Sequence, residues 1–251
     1  MITVRTLQQV ACAVAVLVVW QLVAVVGLAP SNLLPAFTSV ASSLSELVTG
    51  SELWTAIGDT VGGALQGLVV AALVAVPLGL LAGLSPFLER SMRVLIDFGR
   101  SFPAIALMPV FVLLYGTTTT TKSIVVFVAC TFPLFLQTLY GARRVDPSIV
   151  ETTRSYRIPW RLFLLRVVLP NATPSIMTGL RLAATTAVLV AMATEVIGGI
   201  PGIGRQLSLA QADGATATAF AYFIVAGLLG FLVARGAELL ETRLLRWRPA
   251  D

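Results

Sequence analysis

The sequence predicts an all-α polytopic membrane protein with about six transmembrane helices and a short cytoplasmic helix between the fourth and the fifth. Three observations carry this. First, 57% of the 251 residues are hydrophobic and only 12% are charged, against roughly 45–50% apolar in an average soluble domain. Second, the apolar residues gather in runs close to the about 20 that a helical span needs, with no stretch left over for a sizeable soluble domain. Third, the net charge of +5 comes from basic residues clustered between alternate runs, which is the pattern of membrane orientation. A nucleic-acid partner would instead call for a basic stripe interleaved with aromatics. Residues 1–251 therefore read as one transmembrane domain in contact with lipid.

Taken in order, the expected spans are 10–26, 57–84, 102–115, 123–140, 175–197 and 217–239. Val10–Val26 reads as a first span or a signal peptide, and its length beyond the usual h-region of about 7–15 residues favours an uncleaved helix. Pro30–Glu52 has no Lys or Arg. Its Phe37, Val40, Leu44 and Leu47 recur at helical spacing, as in an amphipathic helix on the outer surface. That helix either packs on the bundle or serves as a ledge for an external partner. Within 57–84 the glycines at 62, 63, 67, 79 and 83 allow close helix approach in lipid. Ser85–Arg100 carries Glu89, Arg90, Arg93, Asp97 and Arg100 and reads as a charged cytoplasmic connection.

The third span contains Pro103 and Pro109, whose freed backbone groups are tolerated in a membrane only where protein or a cavity satisfies them. Phe102, Pro103, Met108 and Pro109 are therefore candidate pathway residues, joined by Thr186 and Glu195 of the fifth span; a packing kink is the competing reading. Gly116–Ser123, GTTTTTKS, nearly matches the P-loop pattern, but Thr121 replaces its second glycine and no strand precedes it, so it reads as a short outer loop. Gly198–Leu207 reads as a glycine-rich turn. Glu195 and Arg181, near the ends of their span, are expected to reach towards an interface.

The chain has no histidine, which removes the commonest general base and the His-containing zinc sites. Cys12 and Cys130 lie inside apolar runs, as packing residues. We expect no cofactor, no metal and no catalytic residue. With the N-terminus inside, Arg5, Arg90–Arg100, Arg143–Arg166 and Arg235–Arg248 fall in the cytoplasm, and only Lys122 and Arg205 fall outside.

That orientation places Asp146–Pro170, DPSIVETTRSYRIPWRLFLLRVVLP, in the cytoplasm, since its arginines would each cost roughly 2.5–3.5 kcal/mol at mid-membrane. A short helix is expected over 147–156, capped by Asp146 or Ser148, with Ser148 and Glu151 in the S-x-x-E form of a capping box. Pro159 suits the first turn of a second helix, on which Trp160, Phe163, Leu164 and Val167 share a face.

The run from Glu151 to Pro170 resembles the EAA loop of permease subunits of bacterial ABC importers, E-A-A-x-x-x-G followed by about nine residues and I-x-L-P. Glu151 takes the Glu position, Thr152 and Thr153 the alanines, Val167 the Ile, and Leu169 and Pro170 the final pair. Arg157 stands where the glycine is usual; in a left-handed conformation it would cost about 1 kcal/mol or more. LLPAFTSV, VPLGLLAGLSPFLER, Phe102–Pro109 and ATEVIGGIPGIGRQL resemble the nitrate, sulfonate and taurine branch.

The resemblance implies a permease of the bacterial plasma membrane, with 147–156 as its coupling helix. It would be paired with a second permease subunit, identical or paralogous. Two cytoplasmic ATPases would supply ATP and magnesium chemistry, and a solute-binding protein would dock outside. Ser148, Glu151, Thr152, Thr153, Arg154, Tyr156, Arg157 and Pro170 are the implied ATPase-coupling residues. An ion-gradient-driven transporter is the alternative, disfavoured because Asp59, Arg181 and Glu195 lie near span ends. An intramembrane enzyme lacks a nucleophile and base.

Overall fold

A computed structural model describes residues 4–28, 30 and 32–245, and every regular element among them is helical. Arg246 and Arg248, expected to close the basic C-terminal cluster, lie outside the described residues. Among the described residues, four helices are long and apolar enough to cross a membrane, or five if one sharply bent pair counts as a single span.

Helix α1 runs from Val4 to Val25. The amphipathic helix expected near residue 40 is α2, Phe37–Thr49, with Val40 fully buried beneath it. Trp20 of α1 holds the entry to α2, its ring against Phe37 at 5.7 Å and its indole N–H on the Pro35 carbonyl at 3.0 Å.

The bundle is built on α3, Ser51–Leu84, α6, Thr119–Arg143, and α9, Leu169–Gly198, packed side by side. On α3 every fourth residue from Gly63 to Gly83 is small: Gly63, Gly67, Ala71, Ala75, Gly79 and Gly83. A four-residue step keeps them on one stripe, and the stripe faces α6. A Cβ on Gly67 would lie 2.6 Å from the Ser123 carbonyl oxygen and 2.7 Å from Val126 Cβ, so the two backbones meet there without side chains between them. Dispersion, rather than exclusion of water, holds such pairs in lipid. Cys130 belongs to this core, its thiol on the Ala183 carbonyl at 3.3 Å.

The charged connection expected over Ser85–Arg100 is itself helical: Pro86–Ser101 is helix α4, with the Ser85 hydroxyl accepting the Leu88 N–H and Pro86 in the first turn. Ser85 as the cap and Pro86 at the first position form a helix-start signature. The expected third span requires correction: residues 102–115 are not a continuous span. After Phe102 and Pro103 the chain forms a 3-10 turn over Ala104–Leu107 and a short helix α5, Met108–Tyr115, bent 85° from α4. Twelve helical residues reach roughly 18–20 Å, well short of a hydrocarbon core of about 30 Å.

Beyond α6 come α7, Pro147–Ser155, and α8, Trp160–Phe163, which runs through a π turn at Leu164–Val168 directly into α9. The expected turn at 198–207 is shorter than predicted, since helix α10 occupies Ile203–Ala212; α11, Thr216–Leu244, closes the bundle.

Candidate functional site

The helix pair around Arg157 is assembled by local chemistry. Pro147 occupies the first turn of α7, and the Asp146 carboxylate accepts the Ser148 N–H at 2.8 Å. That backbone bond, followed by the Ser148 side chain, holds the Asp146 carboxyl below its ordinary 3.8, so the cap is ionised at neutral pH. Of the two caps read from sequence, Asp146 is the one used. Ser148 lies inside the first turn with its carbonyl bonded to the Thr152 hydroxyl, so it cannot begin a capping box with Glu151.

At the other end, the Arg157 N–H bonds to the Arg154 carbonyl and the Ile158 N–H to that of Thr153, both at 3.0 Å. This pair, the 5→2 bond nested inside the 6→1 bond, is a Schellman closure, which places the residue after the cap in the left-handed region. Arg157 occupies it at φ 51°, alone among the non-glycine residues described. The glycine preference implied by the family pattern therefore has its physical reason here. Arg157→Gly should stabilise the turn by about 1 kcal/mol and leave ATPase association intact or tighter. Hydrogen exchange of the Tyr156–Ile158 amides together with co-purification checks it, and looser association would show a direct contact of the arginine with the ATPase.

Past the turn, Pro170 has no N–H to offer the carbonyl four residues back. The helix relaxes ahead of it into π geometry, with the Leu169 N–H on the Leu164 carbonyl. Phe163 and Leu164 pack with Val168, Ala172 and Ile176 against Leu80 and Ala142, tying α8 to the ends of α3 and α6. Of the implied coupling residues, Thr153 alone is turned towards the bundle and buried. Ser148, Glu151, Thr152, Arg154, Tyr156, Arg157 and Pro170 are exposed, Tyr156 to 78%.

The candidate pathway residues do not converge on one place. Phe102 and Pro103 line a cavity of about 400 Å³ with Phe132, Pro133 and Val190. Met108 is buried against Gly198, Pro109 is exposed, and the Thr186 hydroxyl is bonded to its own helix at the Leu182 carbonyl. Arg181 is bridged to Glu241 of α11 at 3.1 Å, so its charge is matched within the bundle.

Glu195 overturns the expectation that it reaches an interface, and Lys122 is not an outer-loop cation. Both side chains are fully buried and paired at 2.6 Å. The Lys122 ammonium gives its three protons to Glu195 Oε1, the Asp59 carbonyl at 2.7 Å and the Pro201 carbonyl at 2.8 Å. Glu195 Oε2 takes the Gly204 N–H at 2.9 Å and lies 3.0 Å from the Thr60 hydroxyl, which accepts the Ile203 N–H. Every polar atom of the pair is satisfied, the condition on which a buried ion pair is tolerated. The pair joins α3, α6, α9 and the loop leading into α10. Gly202, at φ 148°, packs against the Glu195 carboxylate where no side chain would fit.

Membrane-length helices packed backbone to backbone, with a short polar helix held off one end, are the architecture of a polytopic helical membrane protein. Residues 75–246 match the family described as binding-protein-dependent transport system inner membrane component, and the chain belongs to that family. It is similar to the putative aliphatic sulfonates transport permease protein SsuC of Escherichia coli (strain K12), at 33% identity over 94% of this chain and 90% of the relative. The protein of the same description from Bacillus subtilis (strain 168) is 28% identical over 93% and 84%. The taurine transport system permease protein TauC of Escherichia coli (strain K12) is 27% identical over 92% and 86%.

Among solved structures, the inward-facing MetNI methionine ABC transporter shares the fold at TM-score 0.67 and 15% identity, covering 76% of this chain and 95% of the other. The chain is thus a permease subunit of an ABC importer of the nitrate, sulfonate and taurine branch. It has no ATPase site of its own, and hydrolysis falls to partner subunits. An ion-driven secondary transporter is set aside on the same grounds.

Proposed function

We propose that this permease carries a small oxyanion, of the sulfonate kind, delivered by an external binding protein, and that α7 receives the work of two cytoplasmic ATPases. The observation that carries the coupling role is the construction of α7. Capped by Asp146 and closed by the left-handed Arg157 turn, it presents Glu151, Thr152 and Tyr156 to solvent, while α8 anchors it in the bundle. A partner that gripped this face differently in its nucleotide-bound and free states would shift the bundle between conformations.

Six spans with a cytoplasmic N-terminus, and pairing with a second permease subunit, complete the reading. The bent α4–α5 unit and α1 supply the spans beyond the four long apolar helices, and the basic residues gather at the α7 end. The substrate class draws on the names of the sulfonate and taurine relatives; ATP and magnesium belong to the partner subunits.

In a background with Cys12 and Cys130 replaced by Ser, Glu151→Cys should react with a membrane-impermeant maleimide only after the cell interior is opened. It should also cross-link to the ATPase subunit. Labelling from outside intact cells would overturn both the orientation and the coupling role.

A further inference from the structure

Between the helix-turn-helix and the bundle lies a groove of about 610 Å³, and its lining combines two chemistries. Its apolar wall includes Leu84, Val150, Ile158, Trp160 and Phe163, and its only charged residues are Arg143, Arg154 and Arg157. No acidic side chain lines it among the described residues. Arg143 is bridged to Glu89 at 2.8 Å, whereas neither Arg154 nor Arg157 has a carboxylate within 4 Å among the described residues. Two unmatched guanidinium groups therefore stand beside an apolar wall, next to the point where α8 enters the bundle.

We propose that this groove holds the phosphate of an anionic membrane phospholipid, with Arg154 and Arg157 on the headgroup and Trp160 and Phe163 against the first part of the acyl chains. The proposal rests on the reading that puts this end of the bundle at the cytoplasmic surface. Its support is charge complementarity: guanidinium is the side chain best suited to bidentate recognition of phosphate. Basic pockets between transmembrane helices on that side are where acidic headgroups bind. A zwitterionic headgroup brings no net charge to balance the two free arginines, and a wholly soluble anion makes no use of the apolar wall. Arg157 thereby gains a role for which its strained backbone position is retained, since a glycine there would remove one of the two free cations.

The test uses the full chain in lipid nanodiscs with Trp20, Trp54 and Trp247 replaced by Phe, so that Trp160, itself in the groove, reports alone. Occupancy of the groove, read as quenching of Trp160, should favour brominated phosphatidylglycerol over brominated phosphatidylcholine by roughly thirtyfold, the factor that about 1 kcal/mol for each of two basic residues gives. The preference should fall to near unity in Arg154→Gln/Arg157→Gln. It should fall substantially in Arg157→Gly, a variant that relieves backbone strain and so folds at least as well.

Equal quenching by the two lipids, or a preference unchanged in the double variant, overturns the proposal. So does displacement of the brominated lipid by millimolar inorganic phosphate, which would make the groove a site for a soluble anion. Loss of the preference on assembly with the ATPase subunits would assign the groove to that partner instead. Co-elution of the ATPase with each variant is measured separately: lost lipid preference with retained assembly bears on the groove alone, and failed assembly with retained preference bears on the coupling role alone.

Discussion

Lys122→Met should destabilise the bundle by about 3–5 kcal/mol, the usual consequence of removing one partner from a buried ion pair. Methionine fills much of the space left by the lysine stem, so the loss is electrostatic rather than a cavity effect. The Glu195 carboxylate would remain fully buried with only the Gly204 N–H and the Thr60 hydroxyl to face it, while the Asp59 and Pro201 carbonyls lose their donor.

Glu195→Gln should cost less, because the ammonium keeps both carbonyls and exchanges a carboxylate oxygen for an amide oxygen, the loss being the Gly204 N–H, which then faces an amide NH2 that cannot accept it. The double variant Lys122→Met/Glu195→Gln should recover a large part of the loss, giving a favourable coupling energy in a double-mutant cycle. Thermal unfolding in detergent measures the stabilities, and proteolysis at the α9–α10 loop follows its release. Additive single effects would mean that the two charges do not act as a pair.

A second large effect is expected at Gly67. Gly67→Val puts a branched side chain where even a Cβ meets a carbonyl oxygen at 2.6 Å. The backbone of Ser123 cannot swing aside as a side chain would, so α3 and α6 must separate along their contact. Overpacking of this kind costs about 1–3 kcal/mol and more where the obstacle is rigid; a shift of at least about 3 kcal/mol and poor membrane yield are expected. Gly62→Val, five residues away on the same helix, meets nothing within 4 Å and should be close to neutral. Parallel stability measurements on the two variants separate close packing from any general intolerance of valine in α3.

The elements that local chemistry specifies were legible before the structure. The spacing of Phe37, Val40, Leu44 and Leu47 located α2, and Asp146-Pro147 with Pro159 located the helix pair and its turn. The family pattern raised a left-handed state at Arg157 only as a condition, and the hydrogen bonds of the turn are what place it there. Helix α4 was obscured because its charges outweighed Ser85-Pro86, a capping signature in plain view.

The buried pair was not legible at all. Lys122 follows five threonines and looks like a loop residue, yet it is engaged by a carboxylate 73 positions away. Nothing local announces that encounter, and a single sequence does not pair distant spans. The signal that was present was a cation beside one apolar run and an anion inside another, each expensive to leave unmatched in lipid.

The continuous helical run from Trp160 to Gly198 has a mechanical consequence. At 1.5 Å per residue it is a rod roughly 58 Å long, longer than a hydrocarbon core is thick. One end is attached through the Arg157 turn to the short helix that meets solvent. The other carries Glu195, bolted through Lys122 and the Gly204 amide to the opposite rim of the bundle. Its two soft places, the π turn and Pro174, both fall in its first half. A tilt imposed at the solvent end is therefore absorbed early or not at all, and whatever passes Pro174 arrives at the far rim as displacement of α10 and its loop, like a pushrod working a valve.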